Sequence, residues 1–349
     1  MCTDLRLVRV PDRHISARTL DFEYETGSRV QVVPRGQKWS AVPTLTAAST
    51  HEWTNDLGFV GMDGFGFDFA FCDGLNEAGL SVGTLWLPET DLPTTPPQES
   101  SQPVIDFINL AGWFLGTCRT VAEVAQALST VAVWNAPIRR MWPAGVPVPD
   151  VAKPLLDYPF TEHLMIHDAH GGDLVIEFVG AGTGTGVRVY TETVGVLTNS
   201  PTYDWHLTNL RNYIGLTPVE ESPVNLMGMP VTPTGNGSGL RGLPGDVTPP
   251  SRVVRATVLS EVVTEVRDTR DAVNQAFHSL DLVSVPRHLA ASGDYTQWYV
   301  VRDHDNGVYY VRTFDAWTTH AHNLHALGVA GTGERSSLPL PTASGATAN

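Results

Sequence analysis

The chain has 349 residues, 42% hydrophobic and 17% charged, a balance that supports a large buried core and lacks the signature of a disordered chain. Its formal net charge of −15, with no run of lysine or arginine to oppose it, excludes nucleic acid as a partner. Three scattered cysteines, Cys2, Cys72 and Cys118, exclude a disulfide framework and a Cys-x-x-Cys zinc site, and no stretch of eighteen apolar residues is available to cross a membrane.

The opening residues, Met1-Cys2-Thr3-Asp4-Leu5, lack the basic and apolar regions of a secretory signal, so a cytoplasmic protein is expected. Over the first ninety residues, period-two alternation predicts strands at 29–33, 65–71 and 80–87. Four prolines between 93 and 103 mark a surface connection, because proline cannot donate to a ladder. Helical spacing follows at 104–115, and Thr120-Val121-Ala122-Glu123 reads as a capping box opening a second helix to about 131.

After a proline-rich passage at 143–159, strand patterns return at 163–167, 174–179, 187–191 and 194–197. Gly171-Gly172-Asp173 and the glycine tract 180–186 are their turns. That tract lacks the G-x-G-x-x-G register and leads into a strand instead of a helix, so it is a hairpin and not a dinucleotide loop. Residues 223–250, rich in Pro, Gly, Thr and Asn, are too long for a simple connection and read as a functional or assembly loop. Helices are expected at 252–266 and 269–280, strands at 297–302 and 308–313 around Asp305-Asn306-Gly307, and a disordered tail over 331–349.

Strands, two helices, strands, two helices, strands is an α+β order. It suits two stacked antiparallel sheets covered by helices, a four-layer α/β/β/α domain over 1–330, better than a doubly wound parallel fold. Two histidine groups do not read as metal sites. The spacing of His163, His167 and His170 cannot put all three on one strand face, and His320, His322 and His325 fall in an expected loop. Cys72 and Cys118 read as buried structural thiols.

Cys2 carries the chemistry. A small residue after the initiator permits removal of Met1, which places an α-amine, with a pKa of about 7.7–8.0, on the same residue as a thiol of about 8.5. Base and nucleophile then share one residue, and no distant histidine, metal or cofactor is needed. Nearby, Ala17-Arg18-Thr19-Leu20-Asp21-Phe22-Glu23 sets a cation and a carboxylate three residues apart beside an aromatic.

Together with Asn76-Glu77-Ala78-Gly79-Leu80, Gly195-Val196-Leu197-Thr198-Asn199-Ser200-Pro201, Leu243-Pro244-Gly245-Asp246, Ser251-Arg252-Val253-Val254-Arg255 and Tyr309-Tyr310-Val311-Arg312-Thr313, this chain resembles the choloylglycine hydrolase family over about 2–315. That family of N-terminal nucleophile hydrolases includes penicillin V acylases and conjugated bile salt hydrolases. The resemblance implies that Cys2 is the nucleophile, that Arg18 favours its thiolate and that Asp21 holds the new α-amine. It further implies that Asn199 donates to the oxyanion and that Arg252 orders the charged cluster. The second oxyanion donor falls at Trp86, where bile salt hydrolases usually carry asparagine, so only the backbone N–H is available there.

The implied activity is hydrolysis of an N-acyl amide with a hydrophobic acyl group, through an S-acyl intermediate. Penicillin V and fatty acyl amides such as acyl-homoserine lactones rank above bile salts because of Trp86. Phe22, Tyr24, Phe59, Phe65 and Trp86 are the candidate acyl pocket. The resemblance also implies a homotetramer, with a small N-acyl amide as substrate and no membrane partner. Two other readings are an N-terminal cysteine dipeptidase, which would release free amino acids, and a binding protein on the same fold, whose thiol would never become acylated.

Overall fold

A computed structural model describes residues 1–42, 49–97, 100–140, 148, 153, 156–157, 160–180 and 186–342. The expectations for 181–185 and 343–349, and for most of 143–159, lie outside the described residues. In chain order the elements begin β1 (Cys2–Arg6), β2 (Ile15–Phe22), β3 (Val30–Val33), β4 (Lys38–Ser40), β5 (Glu52–Thr54), β6 (Phe59–Gly64), β7 (Phe67–Asn76), β8 (Ser81–Trp86) and β9 (Val104–Asp106). Then come α1 (Leu110–Thr117), α2 (Val121–Leu128), β10 (Ala132–Trp134), β11 (Glu162–His167), β12 (Asp173–Phe178), β13 (Val187–Tyr190), β14 (Val196–Leu197) and α3 (Tyr203–Leu210). The remainder is β15 (Val224–Leu226), β16 (Met229–Val231), α4 (Pro249–Val262), α5 (Thr269–Asp281), β17 (Tyr295–Asp303), β18 (Val308–Thr313), β19 (Ala316–Asn323) and β20 (Ser336–Leu338).

Among the described residues, six strands form one sheet in the order β14-β1-β2-β17-β18-β19. Eight form another, in the order β13-β12-β11-β8-β7-β6-β3-β20. Every neighbouring pair in both sheets is antiparallel.

Strand alternation makes the layers. Along β11 and β12, Leu164, Ile166, Leu174 and Ile176 pack with Leu110 and Phe114 of α1 and Val124 of α2, whereas Met165 and Val175 face Trp298 and Val300 of the second sheet. On the far side, Leu5, Ile15, Ala17 and Val301 pack with Ala256 of α4 and Ala272, Ala276 and Leu280 of α5. Three apolar cores separate four layers, as the element order predicts.

The helices start where their caps dictate. Thr120 accepts the N–H of Glu123 at 3.2 Å, but the Glu123 carboxylate reaches back to the N–H of Arg119, one residue before the cap, so half of the expected capping box forms. Asp268 caps α5 on the N–H of Asp271, and α4 opens with prolines whose missing N–H groups have no helical partner to lose.

Several expectations need correction. Val104–Asp106 is not the first helical turn; it pairs in parallel with β10, and the helix begins at Leu110. The tail is not disordered from 331: Ser336–Leu338 adds a strand to β3, satisfying the open edge of the eight-stranded sheet. His320 and His322 lie on β19 and not in a loop. Strands β1 and β2 have no hydrophobic alternation to read, because their inward residues between the sheets are polar: Asp4, Ser16 and Arg18. Among the described residues, no helix is long and apolar enough to cross a membrane.

Candidate active site

The residues that implied chemistry in the sequence converge at one end of the space between the sheets. Strands β1 and β2 pair with Cys2 opposite Leu20 and Asp4 opposite Arg18. Arg18 therefore lies diagonally beside Cys2 on the same face, and its Nη2 stands 3.6 Å from the sulfur. Burial opposes the guanidinium charge, yet Cys2 and Asp73 outweigh it and keep Arg18 firmly protonated.

The other face of these strands meets α4. Arg252, on the first turns of that helix, donates to the Cys2 carbonyl at 2.5 Å, the Thr3 hydroxyl at 2.6 Å and Asn199 Oδ1 at 2.8 Å. It also stands 3.6 Å from Asp21 Oδ2. Asp21 is fully buried, and burial raises its carboxyl against the pull of Arg252. Thr296 donates to one of its oxygens at 2.5 Å, but Oδ2 accepts no hydrogen bond. Met1 is in place, its amine donating to the Asp21 carbonyl and standing 3.2 Å from Asp294.

Asn199 enters from the loop after β14, the strand that pairs with β1. Its Oδ1 accepts the backbone N–H of Cys2 at 2.7 Å, and its Nδ2 donates to the carbonyl of Trp86 at 2.8 Å. Leu87 N–H bonds Thr161 O across the β8–β11 edge. Antiparallel alternation therefore turns both the N–H and the C=O of Trp86 away from β11, toward Asn199. Asn199 thus spends one amide proton on the Trp86 carbonyl and keeps a second one.

Two histidines fix this loop. His163 donates to the Thr198 carbonyl at 3.0 Å, and His206, on the unanticipated helix α3, donates to the Asn199 carbonyl at 2.7 Å. His163, a metal candidate by type alone, is thereby a hydrogen-bond partner of the loop.

Behind Arg18 lies a layer of buried charge. Asp73 Oδ2 stands 3.2 Å from Arg18 Nη1, while Asp73 also takes both Nε and Nη2 of Arg302 and the Tyr309 hydroxyl at 2.8 Å. Arg302 continues to Asp4 at 2.9 and 3.2 Å, and Asp4 to His167 at 3.0 Å. His167 holds Asp173 at 2.6 Å, which closes the run on Arg6.

Burial alone would raise the Asp4 carboxyl and lower His167. The ion pairs win: Arg302 and His167 hold Asp4 far below the usual carboxylate range, and the two carboxylates raise His167. Room for this layer comes from Gly83, where a Cβ would stand 2.7 Å from Asp4 Oδ2 and 3.3 Å from Arg18 Cδ.

A largely apolar cleft opens over the sulfur of Cys2. Phe22, Phe65 and Trp86 line it, and Phe22 and Phe65 meet edge to face at 5.2 Å. Phe59 does not reach the cavity: alternation along β6 points it to the helix side, where it packs on Phe71 at 4.9 Å. Tyr24 is 52% exposed and outside the lining of the cavity, its ring meeting Phe22 edge to face at 6.1 Å.

Residues with no sequence signal complete the wall, among them Phe160, Thr84 and Glu162. Cys72 is also a wall residue and not a fully buried one. Its thiol donates to the Met62 carbonyl, and burial pushes it well above its ordinary pKa, so it stays protonated. Cys118 is buried in the α1–α2 core and raised to about 11 by burial. Among the described residues, no three His, Cys, Asp or Glu side chains are arranged so that they could hold a metal ion.

A family model for linear amide C–N hydrolases of the choloylglycine hydrolase family matches residues 2–334. The chain is 30% identical over 322 residues to a bile salt hydrolase/transferase of Clostridium perfringens, covering 90% of each chain. It is 28% identical over 201 residues to a penicillin V acylase of Pectobacterium atrosepticum, covering 57% of this chain and 48% of that one. A crystal structure of a conjugated bile acid hydrolase variant from Clostridium perfringens superposes with a TM-score of 0.81 at 28% identity over the whole of both chains.

Proposed function

Given that the chain belongs to the linear amide C–N hydrolases of the choloylglycine hydrolase family and has the N-terminal nucleophile hydrolase fold, we propose that Cys2, freed of Met1, is its nucleophile. One observation carries this reading: the backbone nitrogen and the sulfur of residue 2 stand in a single cluster, 2.7 Å from Asn199 Oδ1 and 3.6 Å from Arg18 Nη2 respectively, at the floor of an apolar cavity. Loss of Met1 turns that nitrogen into an amine. The unpaired Oδ2 of Asp21 gains a donor from it, and Arg252 stays as the counter-charge.

The reaction then follows from the parts. The Cys2 sulfur, its proton taken by its own α-amine and its negative charge stabilised by Arg18, attacks the amide carbonyl. Negative charge moves to the carbonyl oxygen, where the Trp86 N–H and Asn199 Nδ2 receive it. Collapse breaks the C–N bond, and the α-ammonium returns the proton to the departing amine, leaving an S-acyl enzyme. The same amine takes a proton from water, whose oxygen attacks the thioester; the acid leaves and the thiol is restored.

The acyl group lies against Phe22, Phe65 and Trp86. The bulk of Trp86 favours phenoxyacetyl and fatty acyl amides over bile salt amides, and the apolar wall favours an acyl group over the second amino acid of a dipeptide. The chain through β20 acts as one catalytic domain and assembles as a homotetramer. Supporting assembly, the β15–β16 hairpin within 223–250 projects Leu226, Met227 and Met229 into solvent, with Ile214 nearby in sequence also exposed. Intact mass after expression, with hydrolysis of penicillin V, glycocholate and a long-chain acyl-homoserine lactone by wild type and Cys2→Ala, tests the reading. Full activity with Met1 retained, or after Cys2→Ala, rules it out.

A further inference from the structure

The cavity over Cys2 does not end at its aromatic wall. A second, smaller apolar cleft shares Phe65, Thr84, Phe160 and Glu162 with it and runs on to Ala70, Phe107 and Ile108. Glu162 is therefore a carboxyl set at the junction of two apolar spaces. It opens β11 directly opposite Trp86, and the Thr84 hydroxyl bonds it. The carbonyl of that same threonine accepts from Arg18 Nη2, the nitrogen beside the Cys2 sulfur, so the carboxyl stands close to the reacting atom.

Burial raises Glu162 against the pull of Arg18. No step of hydrolysis uses this group. Glu162 is only partly buried, and its carboxyl can accept further hydrogen bonds beside the one from Thr84, so a donor on a bound ligand can be received there.

We propose that Glu162 is a specificity residue: it reads a hydrogen-bond donor, a hydroxyl or an amine, on the first few carbons of the acyl group, while the apolar tail continues into the second cavity. This rests on Cys2 being the nucleophile, which places the acyl group here.

The test compares kcat/KM for N-hexanoyl-, N-dodecanoyl-, N-(3-hydroxydodecanoyl)- and N-(3-aminododecanoyl)homoserine lactone, following release of primary amine. Wild type is expected to prefer one of the donor-bearing chains over dodecanoyl by about tenfold, the worth of one such hydrogen bond, and dodecanoyl over hexanoyl. Which donor wins tells a neutral acceptor site from an anionic one. In Glu162→Leu the ratio of donor-bearing to plain chain falls to near one; in Glu162→Gln, which keeps an acceptor oxygen, part of it survives.

A wild-type ratio near one, or a Glu162→Leu ratio equal to that of wild type, overturns the assignment. So does cleavage of penicillin V with none of the four amides cleaved. Activity surviving Cys2→Ala instead overturns the nucleophile reading, and leaves a different signature.

Discussion

Replacing Asp73 by asparagine probes the layer of charge beneath Cys2. Asp73 accepts from Arg18, from two nitrogens of Arg302 and from Tyr309, and all four residues are almost wholly buried. The substitution would keep the volume but leave two buried guanidiniums sharing the single carboxylate of Asp4. Removing one partner of a buried ion pair costs about 3–5 kcal/mol, because the partner's charge stays desolvated and unpaired. Domain stabilities are themselves about 5–15 kcal/mol, so Asp73→Asn should remain folded but much weakened.

Urea unfolding followed by tryptophan fluorescence measures this. Trp298, whose ring lies 5.4 Å beneath the Arg18 guanidinium, reports the same site. Removing the second charge as well, in Asp73→Asn/Arg302→Met, should recover about 1–3 kcal/mol relative to the sum of the single changes, since fewer unpaired charges stay buried. Below the unfolding transition, kcat/KM of Asp73→Asn should drop about tenfold or more, as Arg18 loses an anchor that sets its position beside the sulfur. A stability loss under about 1 kcal/mol, or additive single changes, refutes the ion-pair reasoning.

Three further outcomes are expected. Asn199→Ala should lower kcat by about 10²–10³ with the fold intact by circular dichroism, the loss typical of one oxyanion donor. His304 is buried against Gly79 and Ser16, and burial lowers its pKa to about 3, so the unfolded chain binds a proton there that the folded one refuses. The His304 contribution should therefore be complete above about pH 6.5 and fall by up to about 1.4 kcal/mol per unit as pH drops toward 4; His167, raised in the fold, has its slope above about pH 6.5, where its contribution is lost as pH rises. Urea midpoints at pH 7, 6 and 5 check the sign, and a flat profile contradicts it. Met227→Asp with Leu226→Ser, at positions 104% and 57% exposed, should reduce the mass seen by light scattering if the hairpin joins copies; an unchanged mass removes that role.

Much of the candidate site was legible in the chain. Cys2, Arg18, Asp21, Asn199 and Arg252 were readable because each stands in a short motif, and the four layers because β11, β12 and the helices alternate cleanly. The strands that carry Cys2 and Arg18 were not readable. β1 and β2 turn Asp4, Ser16 and Arg18 inward, so the usual hydrophobic period is missing where the site is built.

Tertiary structure alone decided which groups meet. Asp73, Arg302 and His167 lie far apart in the chain and become one layer only because two sheets close over Gly83. Phe59 and Phe65, both in the first hairpin region of the large sheet, part company: one faces the helices and the other the cavity. Glu162 became visible only as a wall of two cavities. Alternation can say that a side chain leaves one face or the other, but which face is dry, charged or open depends on what packs against it, and that information is spread over the whole chain.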